Sequence, residues 1–162
     1  FKKKTLTTKY QLLVMLSGPE PQRTFLEEKL FGELKTYNGN ICFIKGVIES
    51  QQTVTQHKNM MIYNYMTSAE LETTINESDM VLSRSGYTTI MDLTKLEKKA
   101  FFIPTPGQYE QEYLAKKLES EGIAPFCKQN DFTLDLLSQV ENYKGMIFKE
   151  SQLNYKKLFG LF

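Results

Sequence analysis

Five short apolar runs, each too brief for a buried helix and most followed by a turn and a stretch of helical period, constrain this chain most. They are Tyr10 to Leu16, Ile41 to Ile44, Met60 to Tyr65, Met80 to Leu82 and Ala100 to Ile103. Continuous apolar runs of four to eight residues suit strands buried on both faces, and strands separated by helical segments imply a parallel sheet with crossover helices. The expected helices run from about Gln22 to Lys35, from a Thr67 or Ser68 cap through Leu71 and Ile75, from Thr88 onward through Ile90, Leu93 and Leu96, from Glu110 to Glu121 ahead of Gly122, and from Asp131 to Asn142. Ile123 to Cys127 is expected as a short final strand, and the polar stretch from Glu49 to Asn59 as a loop. The expected fold is α/β: a Rossmann-like, doubly wound parallel sheet of about six strands with helices on both faces. Ligands of such a sheet sit beyond the strand C-termini.

A chain of 162 residues, 41% hydrophobic, fits one domain with a sizeable core. A formal net charge of +1, with lysines dispersed in short clusters, argues against bulk binding to nucleic acid. No apolar run approaches the roughly 20 residues that span a bilayer. Cys42 and Cys127 lack metal-ligand or redox spacing, so a reduced, cytoplasmic setting is the default and neither is expected to be catalytic. A start at Phe1 and an end at Leu161-Phe162 read as a piece of something longer. His57, the single histidine, falls in the polar stretch and is a poor candidate for a general base.

Chemistry concentrates in the turns after the strands. Ser83-Arg84-Ser85-Gly86-Tyr87-Thr88-Thr89 links the fourth strand to a helix, so free N–H groups and the positive helix end gather beside a glycine that lets a ligand approach. Ser85, Gly86, Thr88 and Thr89 therefore form an expected phosphate site. Capping by Ser85 or Thr88 would explain one hydroxyl but not the whole series. Arg84 could reach a phosphate or brace the loop, and bracing is favoured. Tyr87 would stand at the mouth of the site. Asp92, one helical turn on, is placed to accept hydrogen bonds from ribose hydroxyls. Ser17-Gly18-Pro19-Glu20-Pro21, after the first strand, has one glycine and two prolines. It is no dinucleotide fingerprint, yet Ser17 and Gly18 could bracket a diphosphate with the later loop. After Pro104-Thr105-Pro106-Gly107, the amide of Gln111 suits sugar hydroxyls, and Glu110 could act likewise or simply favour the helix start.

The ordered series Arg84-Ser85-Gly86-Tyr87-Thr88-Thr89, Asp92, Pro104, Gln108 to Gln111 and Leu118-Glu119-Ser120-Glu121-Gly122 resembles the C-terminal, nucleotide-sugar-binding domain of family 28 GT-B glycosyltransferases. It spans about a quarter of the chain, and the strand pattern extends it from Tyr10 to Asn142. The resemblance implies the C-terminal half of a GT-B fold, with residues 1–162 a single donor-binding domain from a longer two-domain protein. It implies that Ser85, Gly86, Thr88 and Thr89 meet a donor diphosphate, that Asp92 binds the ribose, that backbone groups at Met66 hold the uracil, and that Glu110 and Gln111 read the sugar. The chain departs from the family in its first loop, in the shorter Asp92 for the usual Glu, and in Leu114 where an Asn is expected.

The implied activity is hexosyl transfer, N-acetylglucosamine being one possible sugar, from a UDP-sugar to an acceptor. No cofactor or metal is implied, and the chain has no Asp-x-Asp pair. No residue here is a convincing catalytic base, so the fragment alone is expected to be inactive. Its partners would be the nucleotide-sugar, a missing N-terminal acceptor-binding domain or partner subunit, and an acceptor that in this family is often lipid-linked, at the cytoplasmic face of the membrane. A UDP-sugar hydrolase and a non-catalytic nucleotide-sugar-binding module or subunit are the alternatives.

Overall fold

A computed structural model of the protein describes residues 1–147; the expected C-terminal end at Leu161-Phe162 lies outside the described residues. Six strands form one sheet: β1 (Tyr10–Met15), β2 (Ile41–Ile44), β3 (Val54–His57), β4 (Met60–Tyr63), β5 (Ser78–Ser83) and β6 (Lys99–Phe102). Their spatial order is β3-β4-β2-β1-β5-β6, parallel throughout except for the antiparallel β3–β4 pair. The helices are α1 (Gln22–Glu33), α2 (Ser68–Asn76), α3 (Tyr87–Lys95) and α4 (Tyr109–Ser120).

Strand alternation sends successive side chains to opposite faces, and the sheet has two cores accordingly. Leu13, Cys42, Val81 and Phe102 pack with Ile75 of α2, Ile90 and Leu93 of α3, and Leu114 and Leu118 of α4. On the other face Leu12, Val14, Phe43, Leu82 and Phe101 pack with Leu26 and Leu30 of α1 and with Phe132, Leu137 and Val140. Phe101 meets Phe132 edge-on with centroids 5.7 Å apart. The chain runs outward from β1 through β2 to β4, then returns to place β5 on the other side of β1. That reversal puts the topological switch point, where such sheets bind ligands, at the C-terminal ends of β1 and β5.

Three expectations need correction. The stretch expected to be a loop from Glu49 to Asn59 contains β3, which hairpins onto β4 through a turn with Lys58 at φ 54°. All four β3 residues are exposed, so this edge strand carries none of the apolar signal that marks a buried one. The expected last strand, Ile123 to Cys127, is reduced to a single bridge between Phe102 and Phe126, so Cys127 lies outside any strand. Asp131 to Asn142 forms no α-helix; a short 3-10 turn, Gln129–Asp131, and a longer one, Leu134–Asn142, occupy this region and bury Leu137 and Val140.

Candidate functional site

The ends of β1, β2 and β4 meet beside the switch point. A cavity of about 320 Å³ is lined by Leu16, Ser17 and Gly18 after β1, Gly46 and Ile48 after β2, Tyr65 and Met66 after β4, Leu71 of α2 and Thr89 of α3. It is polar at the Ser17, Gly18 and Thr89 end and apolar where Ile44, Ile48, Met66 and Leu71 meet. Ser17, Gly18, Met66 and Thr89 of the predicted set are thus brought together from three distant segments. Gly86, Thr88 and Asp92 do not line the cavity, although they share the first two turns of α3 with Thr89 or cap it.

The helix starts that follow β1 and β5 differ in charge. At α1 the site is taken: the Glu20 carboxylate accepts from the Thr24 hydroxyl at 2.5 Å, from the Thr24 amide at 3.3 Å and from Arg23 Nε at 2.5 Å. Those bonds, the Thr24 hydroxyl foremost, hold its carboxyl below the usual range. At α3 no side chain caps the helix, whose N-cap is Gly86, with φ −71° and ψ 147°. The first helical bond runs from Ile90 N to Gly86 O, so the helix itself leaves the amides of Thr88 and Thr89 unused. A Cβ on Gly86 would meet no atom within 4 Å, which leaves open space at the helix head. An anion is therefore better accommodated at α3 than at α1.

The loops around this helix start are built rigidly. Arg84, 1% exposed, donates from Nη1 to the carbonyls of Ile103 and Pro104, each at 3.2 Å, and from Nη2 to Gln22 O at 3.2 Å and Gln129 Oε1 at 2.7 Å. Its side chain ties the ends of β5 and β6 to the start of α1. Burial lowers its pKa to about 10, so it remains a cation at neutral pH. Gln129 completes the brace, donating to Gln22 Oε1 at 3.0 Å.

Ser85 was expected to offer its hydroxyl to a phosphate, but it is fully buried and donates to Gln111 O at 2.8 Å. It fastens the start of α3 to that of α4. Gln111 is similarly engaged: Oε1 accepts from Thr105 N at 2.8 Å and Nε2 donates to Gln108 Oε1 at 2.7 Å. Glu110 is exposed on the first turn of α4. Asp92 is half-buried and joins no ion pair among the described residues. Tyr87, expected at the mouth of the site, is half-buried and packs against the core. His57 lies beside a separate pocket between α1 and the β3–β4 hairpin.

One lining residue, Gly46, and two buried polar residues near the cavity, Asn64 and Thr105, were not singled out as site residues from the sequence. Gly46 has φ +73°, and a Cβ there would fall 2.1 Å from Leu16 O, so only glycine lets the β2 end lie against the β1 end. Its position closing the second strand was the available signal. Asn64, 4% exposed, accepts from Thr53 N and donates to Gln51 O, and these contacts between distant residues leave no pattern in sequence. Thr105 Oγ1, buried and without a partner among the described residues, lies 3.6 Å from where a Gly18 Cβ would stand.

Residues 11–157 match the glycosyltransferase family 28 C-terminal domain. The chain belongs to that family. Among its relatives is the UDP-N-acetylglucosamine--N-acetylmuramyl-(pentapeptide) pyrophosphoryl-undecaprenol N-acetylglucosamine transferase of Buchnera aphidicola subsp. Schizaphis graminum, 31% identical over 67% of this chain and 29% of the relative. The Clostridium kluyveri enzyme of the same name is 30% identical over 64% of this chain and 30% of the relative. The family 28 domain described here thus spans about three tenths of these relatives. Acinetobacter baumannii MurG has the same fold, with a TM-score of 0.59 at 21% identity over 84% of this chain and 41% of that one. ALG13 also shares the fold, with a TM-score of 0.66 at 16% identity over 95% of this chain and 97% of that one. Among the described residues no helix is long and apolar enough to cross a membrane.

Proposed function

We propose that this family 28 domain is the donor-binding part of a glycosyltransferase that moves a hexosyl group from a UDP-sugar to an acceptor. The observation that carries this reading is the single cavity that joins an apolar end at Met66 to a polar end at Gly18 and Thr89, beside an uncapped helix start. In this reading the diphosphate lies against the amides of Thr88 and Thr89 and the open space at Gly86, with Ser17 and Gly18 on its other side. Ser85 and Arg84 hold those loops in place. The backbone N–H and C=O of Met66 meet the uracil, Asp92 the ribose, and Glu110 and Gln111 the sugar, Gln111 exchanging its bond to Gln108 for a sugar hydroxyl.

Transfer places negative charge on the departing diphosphate. Fixed amide dipoles at the α3 start stabilise that charge without reorganising. The hydroxyls of Thr88 and Thr89 would add donors, and no metal is invoked for this step. The base that deprotonates the acceptor belongs to an N-terminal domain or to a separate acceptor-binding partner. The names of the bacterial relatives support N-acetylglucosamine as the sugar and a pyrophosphoryl-undecaprenol-linked acceptor.

Titration calorimetry with UDP, ADP and GDP tests the reading. UDP should bind more tightly than either purine nucleotide, and equal or absent binding of all three would refute it.

A further inference from the structure

We infer that Ile48, on the loop after β2, is a specificity-determining residue that packs on the face of the nucleobase. This rests on the donor-site reading above and adds a contact that the resemblance does not supply. Ile48 is 89% exposed, the most exposed of the large apolar side chains described. A single exposed isoleucine on a protein surface is ordinary. This one, however, lines the cavity with the apolar Ile44, Tyr65, Met66 and Leu71 and with the polar Ser17, Gly18 and Thr89. A molecule that is flat and apolar at one end and anionic at the other, such as a nucleoside diphosphate, matches both.

The loop presenting Ile48 is held at both ends. Before it, Gly46 is wedged against Leu16 O, and Val47 N donates to Asn64 O at 2.9 Å. After it, the buried Asn64 side chain donates to Gln51 O at 2.9 Å and accepts from Thr53 N at 2.8 Å. Gln52 Nε2 then reaches Tyr65 O and Glu70 Oε2, each at 2.9 Å, joining the loop to the α2 cap. A loop pinned on both sides by Asn64 needs little ordering when a base packs against its exposed isoleucine, and such preorganisation favours affinity.

The test is calorimetry on the full chain and on Ile48→Ala, with UDP and with inorganic pyrophosphate, which has no base. Removing three carbons that are partly covered in the complex should weaken UDP binding about tenfold, leave pyrophosphate binding unchanged and leave the melting temperature unchanged. Ile48→Leu should restore UDP binding. In isotope-filtered spectra, the Ile48 methyls should show cross-relaxation to uracil H5 and H6. Undiminished UDP affinity in Ile48→Ala, or an equal loss for UDP and pyrophosphate, would overturn the assignment. If the unsubstituted chain binds no UDP, the donor-site reading fails and this inference fails with it; UDP binding with no effect at Ile48 refutes only the inference.

Discussion

Gly86→Asp should make the protein more stable and the donor site non-functional. Gly86 is the N-cap of α3 in an extended conformation open to any residue, and no atom lies within 4 Å of a Cβ built there. An aspartate at this position can accept from the unused amides of the first turn, as N-cap side chains do. The gain over glycine is a few tenths of a kcal/mol from the cap, about 0.3–1 kcal/mol from a negative charge at the helix start, and about 0.4–1 kcal/mol from restricting the unfolded chain. The sum, about 1–2 kcal/mol, corresponds to a melting temperature raised by roughly 3–6 °C for a domain of this size. The same carboxylate occupies the amides assigned to the diphosphate and repels it, so UDP affinity should fall by at least about 30-fold, or ~2 kcal/mol. Gly86→Ala is the control: poorer capping and lower unfolded-state entropy nearly cancel, leaving stability within about 0.5 kcal/mol. Differential scanning calorimetry and UDP titration read the two quantities separately. Higher stability with unchanged UDP affinity would remove the α3 start from the site.

Arg84→Met keeps the side-chain volume but leaves four acceptors, on Ile103, Pro104, Gln22 and Gln129, without their donor. Relief from burying a cation offsets only part of that loss, and urea denaturation should show a destabilisation of about 3 kcal/mol; wild-type stability would refute the bracing role. Burial pushes the Cys42 and Cys127 thiols up to about 12. Because these folded-state values are raised above the unfolded value of about 8.5, their contribution is fully present below pH 8.5 and is lost as pH rises through 12. Iodoacetamide at pH 8 should therefore label neither cysteine until denaturant is added, and rapid native labelling would contradict the packing described.

The layout of the sheet was legible because buried parallel strands announce themselves as apolar runs, as Leu12 to Leu16 and Ala100 to Ile103 do. β3 was not, because an edge strand reading Val-Thr-Gln-His buries nothing and is defined only by its partner Met60–Tyr63. The 3-10 turn at Leu134–Asn142 has a helical apolar spacing, and over so short a segment apolar spacing does not separate about 3.0 from about 3.6 residues per turn. At the site, sequence located the turns but misjudged which groups face outward. Ser85 looked like a donor to a ligand because hydroxyl residues at helix starts commonly face solvent. Its commitment to Gln111 O, 26 positions away, is a tertiary fact that no local pattern encodes.

How the helix starts are satisfied separates scaffold from site. At α2 the Thr67 hydroxyl accepts from Glu70 N while the Glu70 carboxylate accepts from Thr67 N, a closed capping box. At α1 the proline N-cap cannot do this, and Glu20 supplies the negative charge from outside the helix. α3 and α4 both begin without a side-chain cap, but α4 carries Glu110 and Glu112 in its first turn whereas α3 has no acidic residue there. They are the two starts joined by the Ser85–Gln111 bond. A side-chain cap at α3 would contribute about a few tenths of a kcal/mol over glycine, so a chain that places a cap or carboxylates at its other helix starts and leaves glycine here forgoes a little stability where open space and the Thr88 and Thr89 amides are of use to a ligand. That local deficit, rather than the presence of Ser or Thr in the motif, is the physical ground for proposing the α3 start as the diphosphate end.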